Sequence, residues 1–344
     1  MSRTLRRRPW ARGAATAAGG LPGVDPLESA RIVFGELGQL PFLPELPDRG
    51  IGAQMIGRTL ALLVDLPVEV APSGWRVADH RSRAERQARD LLARDLDVLD
   101  EVVDQIGEAP ALRLKVQAAG PWTLAAQLEL RSGHTVLSDR GARRDLAQSL
   151  TQGLAEHAAD LRRRLPGAQV VLQIDEPALP AVLAGRIPTP SGVGAVDAVE
   201  EPIAEQALAE LLAGAGADAT AVHCCAPAAP LQLFGRAGVD AVSFDAALVS
   251  TRQVDALGEL VEAGVSLWPG VVDHTATARV QPGDLLQRVL RLWRLLGFGL
   301  DELPDSLVPS SACGLSGARP DAVRPVLAAL AAVGEALLDP QPAA

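Results

Sequence analysis

The chain of 344 residues contains no tyrosine, a single lysine at Lys115 and three cysteines. Aromatic residues make up only 3% of it, which leaves few rings to stack on a base or a flat cofactor. Nucleic-acid binders present a basic domain. Here the net charge is −10, so no nucleic-acid partner is expected. No apolar run approaches the roughly 20 residues that span a bilayer, and no membrane is expected. The N-terminus, MSRTLRRRPWARGAAT, is rich in arginine. No apolar stretch of signal-peptide length follows it. We therefore expect a disordered tail over residues 1–14 and a cytoplasmic protein. Three cysteines do not make a disulfide scaffold in a chain of this length. Metal binding or redox chemistry is the reason to look at them.

What is present is an ordinary apolar fraction, 48%, enough for a sizeable core. The length fits two domains or one enlarged α/β barrel. Short apolar segments read as strands at Pro67–Ala71, Ala111–Gln117, Gln169–Ile174, Ala219–His223, Ala241–Phe244, Val265–Pro269 and Ser306–Pro309. Their near-continuous apolar runs suit buried parallel strands. Thr16–Leu21 is a weaker first strand. Helical periodicity fills the gaps: Arg83–Ile106, Gly141–Leu165, Pro202–Ala213, Thr251–Ala263, Asp284–Leu296 and Arg319–Leu338. About eight strands alternating with helices predict a single (β/α)₈ TIM barrel with long βα-loops, over residues 15–340. An open doubly wound sheet is the alternative, but Gly19–Gly23 lacks the dinucleotide-binding spacing. Pro41–Pro47 reads as a loop excursion and Ile187–Gly194 as a long βα-loop.

The cysteines fall at strand ends. His223 and Cys225 are two residues apart, so on a strand they share a face, and Cys224 points away. Cys313 ends the last predicted strand, and Asp245 ends the one after His223. Imidazole, two thiolates and a carboxylate make a tetrahedral Zn²⁺ set. Ligands drawn from three strand ends, one of them an exchangeable carboxylate, suit a site that admits a substrate. The bland alternative is a buried histidine beside apolar-packed cysteines. Gln173-Ile174-Asp175-Glu176-Pro177 closes the fourth predicted strand. Paired acids there need partners if buried. Asp175 could bind an ammonium group, and Glu176 could accept from backbone amides or an arginine.

At these residues the sequence resembles the cobalamin-independent methionine synthase family, in its catalytic barrel. The matching pieces are Gln173–Ala178 (QIDEPA), His223–Cys225 (H-x-C), Val242–Asp245, Pro269–His274 (PGVVDH), Cys313–Leu315 (CGL) and the Gly120–Thr123 turn, GP-x-T. The resemblance implies catalytic zinc on His223, Cys225, Asp245 and Cys313, with Asp245 standing where the family has glutamate. It implies homocysteine as methyl acceptor, its amino group on Asp175, with Glu176 beside it in the substrate site. Gly20 stands where the family places a serine that helps to hold the amino-acid carboxylate. Asp273 and His274 could protonate the leaving amine of a methylfolate. The length leaves no room for the extra N-terminal barrel of the full-length enzyme.

The expected activity is zinc-dependent transfer of a methyl group to homocysteine, making methionine. The donor is a methylfolate, 5-methyltetrahydropteroyl-polyglutamate. The alternatives are a methylcorrinoid donor or another thiol acceptor, and, from another class, a decarboxylase-like lyase or a non-catalytic zinc barrel. Trp75, Trp122 and Trp268 are the aromatics near strand ends that could meet a pterin; core packing is the bland reading of each.

Overall fold

A computed structural model describes residues 10–107, 112–190, 192–273, 275, 280–300, 303 and 307–339. Its centre is a parallel sheet of six strands. These are β3 (Arg113–Ala119), β5 (Gln169–Asp175), β6 (Ala219–Cys224), β7 (Ala241–Asp245), β8 (Ser266–Val272) and β9 (Ser310–Ser311), hydrogen-bonded in that order. Helices connect them. Long ones pack on the outside: α3 (Arg83–Ile106), α5 (Arg140–Arg164), α7 (Glu201–Gly214), α9 (Thr251–Glu262), α10 (Pro282–Leu296) and a last helix, Pro320–Ala336. Shorter ones are α1 (Pro26–Glu36), α2 (Met55–Leu60), α4 (Pro121–Gln127), α6 (Leu179–Leu183) and α8 (Leu231–Arg236).

The helices start where side chains can satisfy the free amides of a first turn. Asp25, Ser82 and Asp139 accept from backbone amides at the starts of α1, α3 and α5. Ser250 and Gln253 form a capping box on α9. In α3 the apolar stripe of Leu92, Leu96, Leu99 and Val102 is buried, as its spacing predicts.

Two extended segments lie beside the sheet. Near residues 41–45, Leu43 N donates to Lys115 O and Lys115 N to Pro41 O, which joins that segment to β3. Near 16–21, Glu45 N donates to Gly19 O, Leu21 N to Glu45 O, Thr16 N to Pro309 O and Leu315 N to Gly20 O. The sheet therefore curls, and its two ends are linked through these segments.

Three expectations change. Pro41–Pro47 is no loop excursion, since it carries the bonds next to β3. Its prolines lack amide donors, so the ladder is sparse and the pattern looks unlike a strand. Pro67–Ala71 is a strand, β1 (Val68–Ala71), but it pairs antiparallel with β2 (Gly74–Val77). With β4 (Leu128–Glu129) these form a separate three-stranded sheet. The tail does not extend to residue 14: Trp10 and Ala14 are buried, and Trp10 meets the Trp268 ring edge-on at 5.2 Å. Residues 1–9, Ala111 and Ser306, all within sequence-predicted elements, lie outside the described residues.

The core has two parts. One lies between sheet and helices and holds most of the leucines. The other fills the concave side, where Val171, Ala219, Ala221, Ala241, Trp268 and Val308 meet Trp10 and Leu40.

Candidate metal centre

The parallel register sets the site. Asp175 is the partner of His223 across β5 and β6, and His223 is the partner of Ser243 across β6 and β7. Asp175 ends β5, His223 lies one residue before the end of β6, and Ser243 lies two residues before the end of β7. In open and closed parallel sheets alike, the C-terminal edge is where loops gather functional groups.

His223, Cys225 and Cys313 converge there, with ligand atoms all within 4.8 Å of one another. The Cys225 and Cys313 sulfurs are 3.3 Å apart. His223 Nδ1 meets Ser243 Oγ at 2.9 Å, a contact that fixes the ring and leaves Nε2 for the cluster. Hydrogen bonds from Cys225 and His223 pull the Cys313 thiol down to about 4. Cys225 is pushed up, chiefly through its bond to Cys313. Cys225 Sγ donates to Cys313 Sγ, and a thiophilic cation bound to both sulfurs would displace that proton. Cys224 faces the apolar core, where burial raises its thiol to about 12.

Asp245 is not among the converging groups. Its Oδ1 accepts from Ala247 N at 2.8 Å, capping the short turn Ala246–Leu248. A side chain one methylene shorter than glutamate folds back onto its own loop. Asp245 instead lines a cavity of about 510 Å³ with Gly270, Asp273, Arg288 and Arg291. Asp273 Oδ1 accepts from Thr275 N and Oγ1 at 2.7 and 2.6 Å. His274 lies outside the described residues. Another cavity, of about 480 Å³, runs between α5 and α7 and contains none of the metal-centre residues.

Glu176 takes up backbone amides, as its own residue type allowed, rather than the place beside the substrate that the resemblance implied. It accepts from Trp122 N at 2.9 Å, Thr123 N at 2.8 Å and Thr123 Oγ1 at 2.7 Å. It is fully buried and holds the first turn of α4, so its oxygens are not open to a substrate. The fit is tight: a Cβ on Gly120 would stand 2.2 Å from Glu176 Oε1. This is why the turn needs glycine.

Asp175 faces the mouth of the site, the space in front of His223 and Cys313, whose charges it feels. Its Oδ1 accepts from Gln173 Nε2 at 2.7 Å, and burial raises its carboxyl to about 6 against the pull of His223. Behind it lie groups that sequence reasoning missed. Glu45 is buried, its carboxyl raised to about 7 by desolvation and opposed first by the Arg58 charge. Lys115 is fully buried and lowered to about 8 by desolvation. The signal for Lys115 is a lone lysine within an apolar strand. Glu45 sits in a proline-rich run with no periodicity to flag it. Gly20 could carry a Cβ without a clash: it would meet Gly314 Cα at 3.5 Å, an ordinary van der Waals contact. Trp75, Trp122 and Trp268 are all core residues.

Residues 14–336 match the family model described as the catalytic domain of the cobalamin-independent synthases. No curated protein matches. Among solved structures, the fold is similar to that of a B12-independent methionine synthase from Shewanella sp. W3-18-1, determined in complex with selenomethionine. The two share 15% identity and superpose with a TM-score of 0.60. The match covers 94% of this chain and 97% of that one.

Proposed function

The chain belongs to the family of cobalamin-independent synthase catalytic domains, and from that premise we propose that it methylates the thiol of homocysteine to form methionine, with a methyltetrahydropteroylglutamate as donor. The observation that carries this reading is the convergence of His223, Cys225 and Cys313 at the C-terminal edge of the sheet. The family's independence of cobalamin argues against a methylcorrinoid donor.

One imidazole and two thiolates are a zinc donor set, and three protein ligands are the number typical of catalytic zinc. Asp245 can join them only by giving up its bond to Ala247 N. We assign it as an exchangeable fourth ligand that yields its place to the substrate. Bound there, zinc would hold the incoming thiol as a thiolate at neutral pH. Asp175, backed by Glu45, takes the amino group of homocysteine, and the edge beside Gly20 takes its carboxylate end. The sulfur then attacks the donor's methyl carbon. The S–C bond forms as the N–C bond breaks, the electron pair stays on the donor nitrogen, and that nitrogen takes up a proton. Asp273, at the rim of the adjoining cavity, and His274 beside it in sequence are the groups we place on that proton. We also read segments 16–21 and 41–45 as the first two staves of the sheet, which makes the fold an eight-stranded barrel.

The test is methionine formation by zinc-loaded protein from homocysteine and methyltetrahydropteroyl-triglutamate. Turnover that a chelator abolishes and zinc restores supports the reading. No methionine at saturating concentrations of both substrates overturns it.

A further inference from the structure

We propose that Lys115, the sole lysine of the chain, is a positioning residue that sets the aim of Asp175 through Gln173 and so determines selectivity for thiols carrying an amino group. This rests on the proposed role of Asp175 in binding homocysteine. Lys115 Nζ has three donors and no acceptor. Each donor has a partner: Gln173 Oε1 at 2.9 Å, Gln117 Oε1 at 3.2 Å and Ala18 O at 3.2 Å.

The ammonium dictates which way the neighbouring amides turn. With its oxygen on Lys115, the Gln173 amide must direct its nitrogen the other way. Gln173 Nε2 donates to Ala18 O at 2.8 Å and to Asp175 Oδ1 at 2.7 Å. Gln117 behaves likewise, with Nε2 donating to Leu43 O at 2.6 Å. Among the described residues no other hydrogen bond reaches the Asp175 carboxylate, so one oxygen is held and the other is left for a ligand's N–H. All of these groups are buried, so water does not compete for their orientation. The cation is further braced by the Phe42 ring, whose centroid lies 5.2 Å from Nζ. Without the ammonium, the Gln173 amide can flip and present its oxygen to Asp175, which repels it and releases the carboxylate.

The experiment compares two ligands that differ only in the amino group, homocysteine and 4-mercaptobutyrate. Their dissociation constants are measured calorimetrically on zinc-loaded wild type, Lys115→Met and Gln173→Leu. Wild type should prefer homocysteine. In both variants that preference should fall about tenfold or more, the size of one charge-assisted hydrogen bond, while 4-mercaptobutyrate binds within about twofold of wild type. Should Lys115→Met not fold, Gln173→Leu carries the same test. A preference left intact in the folded variants overturns the inference, as does equal weakening of both thiols. Wild type that binds neither thiol would instead sink the methyl-transfer reading.

Discussion

The concave side of the sheet has two levels built from the same strands. Near the N-terminal ends it is apolar, with Val171, Ala219, Ala221 and Ala241 packed around Trp268 and Trp10. Two to four residues further along, β5 presents Gln173 and Asp175, β6 presents His223 and β7 presents Ser243. There the filling is hydrogen-bonded and ionisable, with Lys115 and Glu45 completing it. The lower level stabilises the fold through buried area and close packing. The upper level places charges where burial disfavours them, which is tolerable only because each has hydrogen-bond or ionic partners. One level maintains shape and the other holds reactivity, and single substitutions can separate the two.

The largest effect belongs to the upper level. Cys225→Ser or Cys313→Ser should lose bound zinc and cut methyl transfer by at least about a hundredfold, with little change in the unfolding midpoint of the metal-free protein. Metal analysis beside a turnover assay checks this; a zinc-free variant with full turnover would break the division. Trp268→Ala strikes the lower level. It empties a fully buried site and should cost about 3–5 kcal/mol in denaturant unfolding. The folded fraction should still take up one zinc. Loss of metal affinity at unchanged stability would contradict the separation.

Glu45 tests the cost of the upper level. Its carboxyl is raised from 4.5 to about 7 by burial. A raised carboxyl contributes its stability in full below the unfolded value and loses it as pH rises through the folded one. Glu45→Gln, which stays neutral, should therefore gain on wild type by on the order of 2 kcal/mol between pH 5 and pH 8. A pH-independent gap would mean that Glu45 is not carrying that cost. The smallest effect is expected at Gly20, where a Cβ has room. Gly20→Ser should fold normally and lower the KM for homocysteine about two- to fivefold; a raised KM would show that the edge needs bare backbone.

Sequence reasoning reached the elements whose physics is local. The apolar stripe of Arg83–Ile106 and the continuous runs of β5 to β8 needed only periodicity, and the structure places them within a few residues. The H-x-C spacing and the late cysteine were legible because a parallel sheet brings strand ends to one edge. Most of what was not legible depended on partners distant in sequence. Pro67–Ala71 has strand character, but nothing in it says which sheet it joins. Segment 41–45 hides its pairing behind prolines. Glu176 and Asp175 are neighbours with opposite fates, decided by whether the turn at Gly120–Thr123 or the mouth lies in front of each. The place of Asp245 in its strand points to the metal, whereas its short side chain follows the local turn.

The proposed chemistry turns on a metal that takes the substrate sulfur. X-ray absorption at the zinc edge of the metal-loaded protein reads this directly, before and after homocysteine is added. The first shell should contain two sulfurs, from Cys225 and Cys313, rising to three with homocysteine. A sulfur count that does not change, or zinc held without sulfur, would contradict it.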